Sequence, residues 1–294
     1  MLVSMKGILA DADSNNYAVM ACNCCNMENV EAVVAAASSK RSAVIINISP
    51  RQFHLHADLD AMIPMIVSLA SAAPVPIALN LDHGKEYDDI ATALKKGFTS
   101  IMFDGSALTY EANLAITKQI STMAHNQGCA CEGELGHVGQ ASAGDGEKVD
   151  YFTDVDMAVQ FVKETKVDAL AVAIGTAHGK YPAGFVPKLD FVRLKELKSA
   201  LQMPLVLHGG SGSGEENIRR AVECGINKIN VCTDVFAIGR DSVAHALGEN
   251  PSVDWMNLMS GAQKDMQDYI ESYMDLIGSS GRYQYTLADK QQFD

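Results

Sequence analysis

The stretch that decides the fold is "IALNLDHGKEYDD", residues 77–89. An apolar run breaks off in Asp82 and His83, then Gly84, then a charged segment with helical spacing. A carboxylate and an imidazole stand where a buried strand should end. Neighbouring side chains of a regular strand point to opposite faces, so both reach one site only where the strand breaks. Gly84 supplies that break.

The same pattern recurs along the chain. Runs rich in apolar and β-branched residues fall at 17–24, 42–49, 76–82, 99–105, 129–135, 169–175, 204–209 and 228–233. Their near-continuous apolar character suits a parallel sheet covered on both faces. Amphipathic stretches such as "YDDIATALKKG" and "VDMAVQFVKET" lie between them, several closing on the Gly that ends a helix. Eight βα units predict an α/β fold, a (β/α)8 TIM barrel, with residues 1–294 as one domain. An open doubly wound sheet is the rival, but no Gly-x-Gly-x-x-Gly follows the first strand. Two further helical patterns after the eighth strand predict extra C-terminal helices, with an extension at about residues 251–280.

Composition narrows the function. The chain has 294 residues, 48% of them hydrophobic, and a formal charge of −13 from 36 acidic and 23 basic side chains. That balance argues against nucleic-acid or anionic-membrane partners. With no signal-peptide pattern, no apolar stretch of roughly 20 residues and free thiols, a cytoplasmic protein is expected. An anionic substrate then needs local help from a metal, backbone amides or a few placed cations. Seven scattered cysteines make no disulfide framework, and the cluster in "MACNCCN" reads as buried thiols in a strand.

Polar residues collect at the predicted C-terminal strand ends, which converge at one mouth in a barrel. They include Asn23, Ser49, Asp82, His83, Asp104, Glu132, Glu134, His178, His208, Asn230 and Thr233. Taken singly, each is ordinary strand-end polarity. As a set, His83, His178 and His208 end predicted strands 3, 6 and 7, each followed by Gly. Three neutral imidazoles with one open position describe a catalytic Zn²⁺ site. His54, His56, His125, His137 and His245 lack that context and read as surface or structural. The glycine-rich turn "HGGSGSGEEN" before a helix suits a phosphate beside the metal.

These motifs resemble the class II, metal-dependent ketose-bisphosphate aldolases. The resemblance rests on "LDHG" (81–84), "MFDGS" (102–106), "EGELGHVG" (132–139), "YFTD" (151–154), "DALAVAIGTAHGKY" (168–181), "PLVLHGGSG" (204–212) and "KINVCTD" (228–234). It is nearer the shorter tagatose-bisphosphate branch than the fructose branch. It implies reversible cleavage of a phosphorylated ketose, a ketose 1-phosphate or 1,6-bisphosphate, into dihydroxyacetone phosphate and an aldehyde through a zinc-stabilised enediolate. Zn²⁺ would be held by His83, His178 and His208, with Glu134 at an alternative position and Asp82 moving the C4 hydroxyl proton. Asp104 lies in the matching acidic turn. Gly179, with Gly209, Gly210 and Ser211, and Asn230, Val231, Cys232 and Thr233, would clamp the phosphate with a monovalent cation, Na⁺ or K⁺. A homodimer or homotetramer is expected.

The chain departs from the family in places. The loop after strand 5 reads "GQASAGDGEK", where Asp145 or Glu147 would be the second proton donor. No arginine precedes the last helix, and Cys232 replaces the aspartate of the fructose branch. Arg51, with His54, is a candidate for reading an anionic group on the aldehyde half. Lys180 and Lys228 read as lying near strand ends, outside any core strand, so no Schiff-base lysine is expected. A metal-dependent sugar-phosphate isomerase or epimerase, and a non-enzymatic sugar-phosphate-binding barrel, are the alternatives.

Overall fold

The apolar runs become strands because each can bury both faces, and every residue of the first strand is buried. The computed structural model describes residues 1–139, 141, 151–182 and 184–283. Its strands are β1 (Val19–Asn23), β2 (Val44–Ile48), β3 (Ile77–Gly84) and β4 (Ser100–Phe103). They continue as β5 (Ala130–Leu135), β6 (Ala169–Val172), β7 (Leu205–Leu207) and β8 (Ile226–Val231). All neighbours pair in parallel, and β8 returns to β1 to close the barrel.

The helices form the outer ring. The first six are α1 (Met5–Ser14), α2 (Met27–Lys40), α3 (Pro50–Leu55), α4 (Leu59–Ala72), α5 (Tyr87–Lys96) and α6 (Tyr110–His125). The next five are α7 (Val155–Thr165), α8 (Phe191–Leu201), α9 (Glu215–Glu223), α10 (Thr233–Glu249) and α11 (Trp255–Leu276). Helix starts obey local chemistry: Asn26, Asp58, Thr109, Asp154 and Asp190 each cap the following helix with a side-chain oxygen. Helix α11 falls within the expected 251–280 extension and packs on α2 and α10.

Two sequence readings need correcting, and a third holds. Strand β6 stops at Val172, so His178 sits six positions beyond it in a loop rather than at a strand end. The apolar run does continue through Ile174, but Gly175 turns the chain at φ 116°. Lys228 is inside the core strand β8 and wholly buried, because an ion partner on β5 accepts its charge there. Finally, β3 carries a register shift against β4 between Leu81 and Gly84, the strand break expected at Gly84. His83 takes up the strain at φ 53°, and a Cβ on Gly84 would sit 2.9 Å from Met102 O.

Candidate active site and metal centre

The loops after the strands enclose a cavity of about 740 Å³ at the C-terminal mouth of the barrel. Asn23, Ser49, Asp82, His83, Asp104 and Glu134 line one part of it. His178, Gly179, Gly209, Ser211, Asn230, Cys232 and Thr233 line the rest. Asp145 and Glu147 lie outside the described residues.

Asp82 is the buried carboxylate at the centre. Asn23 Nδ2 donates to its Oδ2 and Asn230 Nδ2 to its Oδ1, both at 2.9 Å. Burial alone would favour the neutral acid. The charges of His83, His208 and Lys228, with the bond from Asn23, outweigh it and hold Asp82 below its usual range.

The three imidazoles converge. Ring centroids lie 4.9 Å apart for His83 and His178, 4.6 Å for His83 and His208, and 5.8 Å for His178 and His208. His83 Nε2 is 3.0 Å from His208 Nδ1, and one nitrogen from each of the three rings falls within 4.8 Å of the others. Burial, then the neighbouring rings, drive His178 down to about 3, and burial also lowers His208. Both offer lone pairs. For His83, burial opposes charge, but Asp82, Asp104 and Glu134 overcome it and raise the ring to about 9.

Glu134 joins from β5. Its Oε2 is 3.9 Å from both His83 Nδ1 and His208 Nδ1, and is buried with no hydrogen-bond partner among the described residues. Burial and the charge of Asp104 raise it to about 8. His83, Asp104 and Glu134 form a second group with ligand atoms in mutual reach. Two neutral imidazoles, a third that metal would deprotonate, and an orphaned carboxylate oxygen fit a divalent cation of zinc's preferences. Asp104 is kept ionised: burial is outweighed by His83 at 3.0 Å, the Ser106 hydroxyl and Lys85 at 3.3 Å.

The anion side differs in part from expectation. The helix whose start borders the cavity is α10, through Thr233, and Asp234 N donates to Ser211 Oγ. The first turn of α9 borders a separate cavity of about 560 Å³, as does Gly210. Gly210 N–H is already given to Asn230 O, and Val231 is buried in the core. Neither presents itself to the mouth.

Sequence reasoning missed His137, Val138 and Gly139, which also line the cavity. The loop carrying them is tied to the His178 loop, with His178 N donating to Gly139 O and Ala141 N to His178 O. Only the adjacency of "GHVG" to "EGEL" pointed there. Arg51 borders the cavity and makes no ion pair among the described residues, whereas His54 turns aside to Asp89 at 2.8 Å.

Lys228 does not make this a Schiff-base site. Its ammonium is held by Glu132 and Asn230, has no exposure, and is not among the residues lining the cavity. No carbonyl substrate reaches it.

Comparison with known proteins points to one family. Residues 3–282 match the family model described as fructose-bisphosphate aldolase class-II. The YdjI aldolase from Escherichia coli K12 is 32% identical, with a TM-score of 0.84 over 97% of this chain and 100% of that one. A protein from Coccidioides immitis assigned as a fructose-1,6-biphosphate aldolase is 30% identical, with a TM-score of 0.81 over 94% and 96%. Fructose-bisphosphate aldolase from Campylobacter jejuni, at 21% identity and TM-score 0.81 over 96% and 97%, shares the fold.

Proposed function

The chain belongs to the class II fructose-bisphosphate aldolase family and is an aldolase, and from that premise we propose that it reversibly cleaves a phosphorylated ketose into dihydroxyacetone phosphate and an aldehyde. The observation that carries this reading is Asp82, ionised and clamped by two asparagines, 4.0 Å from His83 in the three-histidine cluster. A proton-transfer group beside a metal site is what C–C cleavage next to a carbonyl requires.

His83, His178 and His208 would hold Zn²⁺, with Glu134 as the alternative ligand. When bound, the metal supplies a Lewis acid for negative charge developing on the substrate's carbonyl oxygen. The protein's own groups do the rest. Asp82 takes the C4 hydroxyl proton in cleavage and returns it in condensation. Asn23 and Asn230 keep its two oxygens fixed, so little reorientation is needed at the moment of transfer. Gly179, Gly209, Ser211 and the start of α10 at Thr233 form the phosphate side, where backbone amides and the helix end favour an anion. A Na⁺ or K⁺ ion beside that clamp completes the reading. Arg51, in the first turn of α3 after β2, borders the same cavity and would meet an anionic group on the aldehyde half.

The test is a panel of ketose 1-phosphates and 1,6-bisphosphates of tagatose and fructose type, read by glycerol-phosphate dehydrogenase for released dihydroxyacetone phosphate. At least one substrate should give turnover that stops with a chelator and returns with Zn²⁺. Interconversion of sugars without that release would identify an isomerase and end the proposal.

A further inference from the structure

Lys228 is a full charge with no exposure in the middle of β8, and the proposed cleavage gives it no task. Its Nζ lies 2.8 Å from Glu132 Oε2 on β5 and donates to Asn230 Oδ1 at 2.8 Å. Glu132 meets the candidate metal ligand, and Asn230 meets the candidate proton shuttle while its Nδ2 also lies 3.4 Å from His208 Nε2. Glu132 Oε1 is 2.9 Å from His208 Nε2, and Asn230 Nδ2 donates to Asp82 Oδ1 at 2.9 Å. One ammonium therefore stands directly beneath both a candidate metal ligand and the candidate proton shuttle.

Stability does not explain the arrangement. A buried ion pair recovers little more than its desolvation cost, and apolar side chains of similar volume often serve the fold as well. Orientation does explain it. An ammonium only donates, so the oxygen of Asn230 must face Lys228 and its NH₂ must face Asp82. The opposite amide orientation would set an oxygen against the Asp82 carboxylate. Likewise, Lys228 draws one oxygen of Glu132, leaving the other aimed at His208 Nε2. His208 Nδ1 then points toward His83 and the shared metal position. Glu132 and Lys228 come from strands on different parts of the ring, so the link spans the barrel interior.

We propose that Lys228 is a positioning residue, which through the carboxylate of Glu132 and the amide of Asn230 aims His208 at the metal and holds Asp82 in register. This rests on the reading of His208 as a metal ligand and Asp82 as the proton shuttle. Groups that orient a liganding histidine typically change metal affinity 10- to 100-fold when removed.

The experiment compares the wild-type protein with Lys228→Met, Glu132→Gln and the double variant Glu132→Gln/Lys228→Met. The double variant removes both charges together and so avoids stranding one in the core. Zn²⁺ affinity is measured by chelator competition, ligand geometry by the visible spectrum of the Co²⁺-loaded protein, and folding by thermal melting, all without substrate. Positioning predicts that the double variant melts near the wild type yet binds Zn²⁺ about 10- to 100-fold more weakly, with an altered Co²⁺ spectrum. It also predicts that Lys228→Met adds nothing further to affinity once Glu132 is Gln. Wild-type affinity and spectrum in the double variant would overturn the proposal. A wild-type protein that holds Zn²⁺ but cleaves no ketose phosphate would instead refute the proposed function and leave the positioning role standing.

Discussion

Asp82 stays ionised in surroundings that would neutralise an isolated carboxyl group, because cationic neighbours and two amide donors compensate its burial. Asp82→Asn preserves shape and removes the base, so the variant should retain metal while kcat falls about 10²–10⁴-fold. Near-normal kcat in that variant would show that another group moves the proton. His208→Ala should behave differently, losing the metal itself, as read by metal content after dialysis. Cys232 gives a second residue-scale prediction. Burial, reinforced by Asp82, Cys22 and Cys25 and opposed by Arg51, pushes its thiol up to about 12. At pH ~8 its thiolate fraction is about 10⁻⁴, against roughly a quarter for an ordinary thiol. Iodoacetamide should therefore modify Cys232 about a thousandfold more slowly in the native protein than in denaturant, followed by mass spectrometry. Rapid native labelling would mean that the cavity wall is more open, or the thiol more acidic, than its surroundings imply.

Elements explain why parts of the site were legible and parts were not. His83 and His208 could be read from sequence because each closes an apolar run, His83 one residue on after Asp82, and precedes Gly, so local pattern and position agree. His178 was found for the same reason, yet its element was misjudged, since residues 173–177 are buried although they form no strand. Lys228 and Glu132 were harder. A charge inside an apolar strand is tolerated only when its partner arrives from another strand, and one-dimensional sequence carries no record of that meeting. The β7 turn shows how tightly these elements depend on each other. Gly209 has φ +68°, and a Cβ there would lie 2.6 Å from Ala177 O and 2.8 Å from its carbonyl carbon. Backbone cannot yield as a flexible side chain does. Gly209→Ala should thus cost about 1–3 kcal/mol, seen as a lower Tm. It should also weaken metal binding, because the displaced segment leads into His178. A variant with unchanged Tm and metal affinity would show that the turn relaxes without disturbing the β6 loop.

At the scale of the whole molecule, eight apolar runs separated by amphipathic helices sufficed to foresee a closed parallel barrel, since few other folds bury that many two-faced strands. Assembly is less visible in sequence, because apolar residues that meet another copy look like any others. Helix α10 has 17 residues and buries only Val235. Helix α11 starts with Trp255 and Met256, which are 70% and 77% exposed, and Leu247 near the end of α10 is 42% exposed. Large apolar side chains grouped at one helical connection are costly to leave in water. We therefore expect this arm to join copies of the chain, with a solution mass by light scattering of two or four times the 31.5 kDa protomer. Trp255 is the chain's single tryptophan, so its emission reports this surface alone. Emission should shift to the red on dilution below the dissociation constant, as the indole moves from a covered to an aqueous setting. Met256→Glu should favour the protomer and produce the same shift at higher concentration, while leaving the barrel's melting little changed. A protomer mass at micromolar concentration, together with emission that ignores both dilution and Met256→Glu, would show that this exposed arm is not the contact.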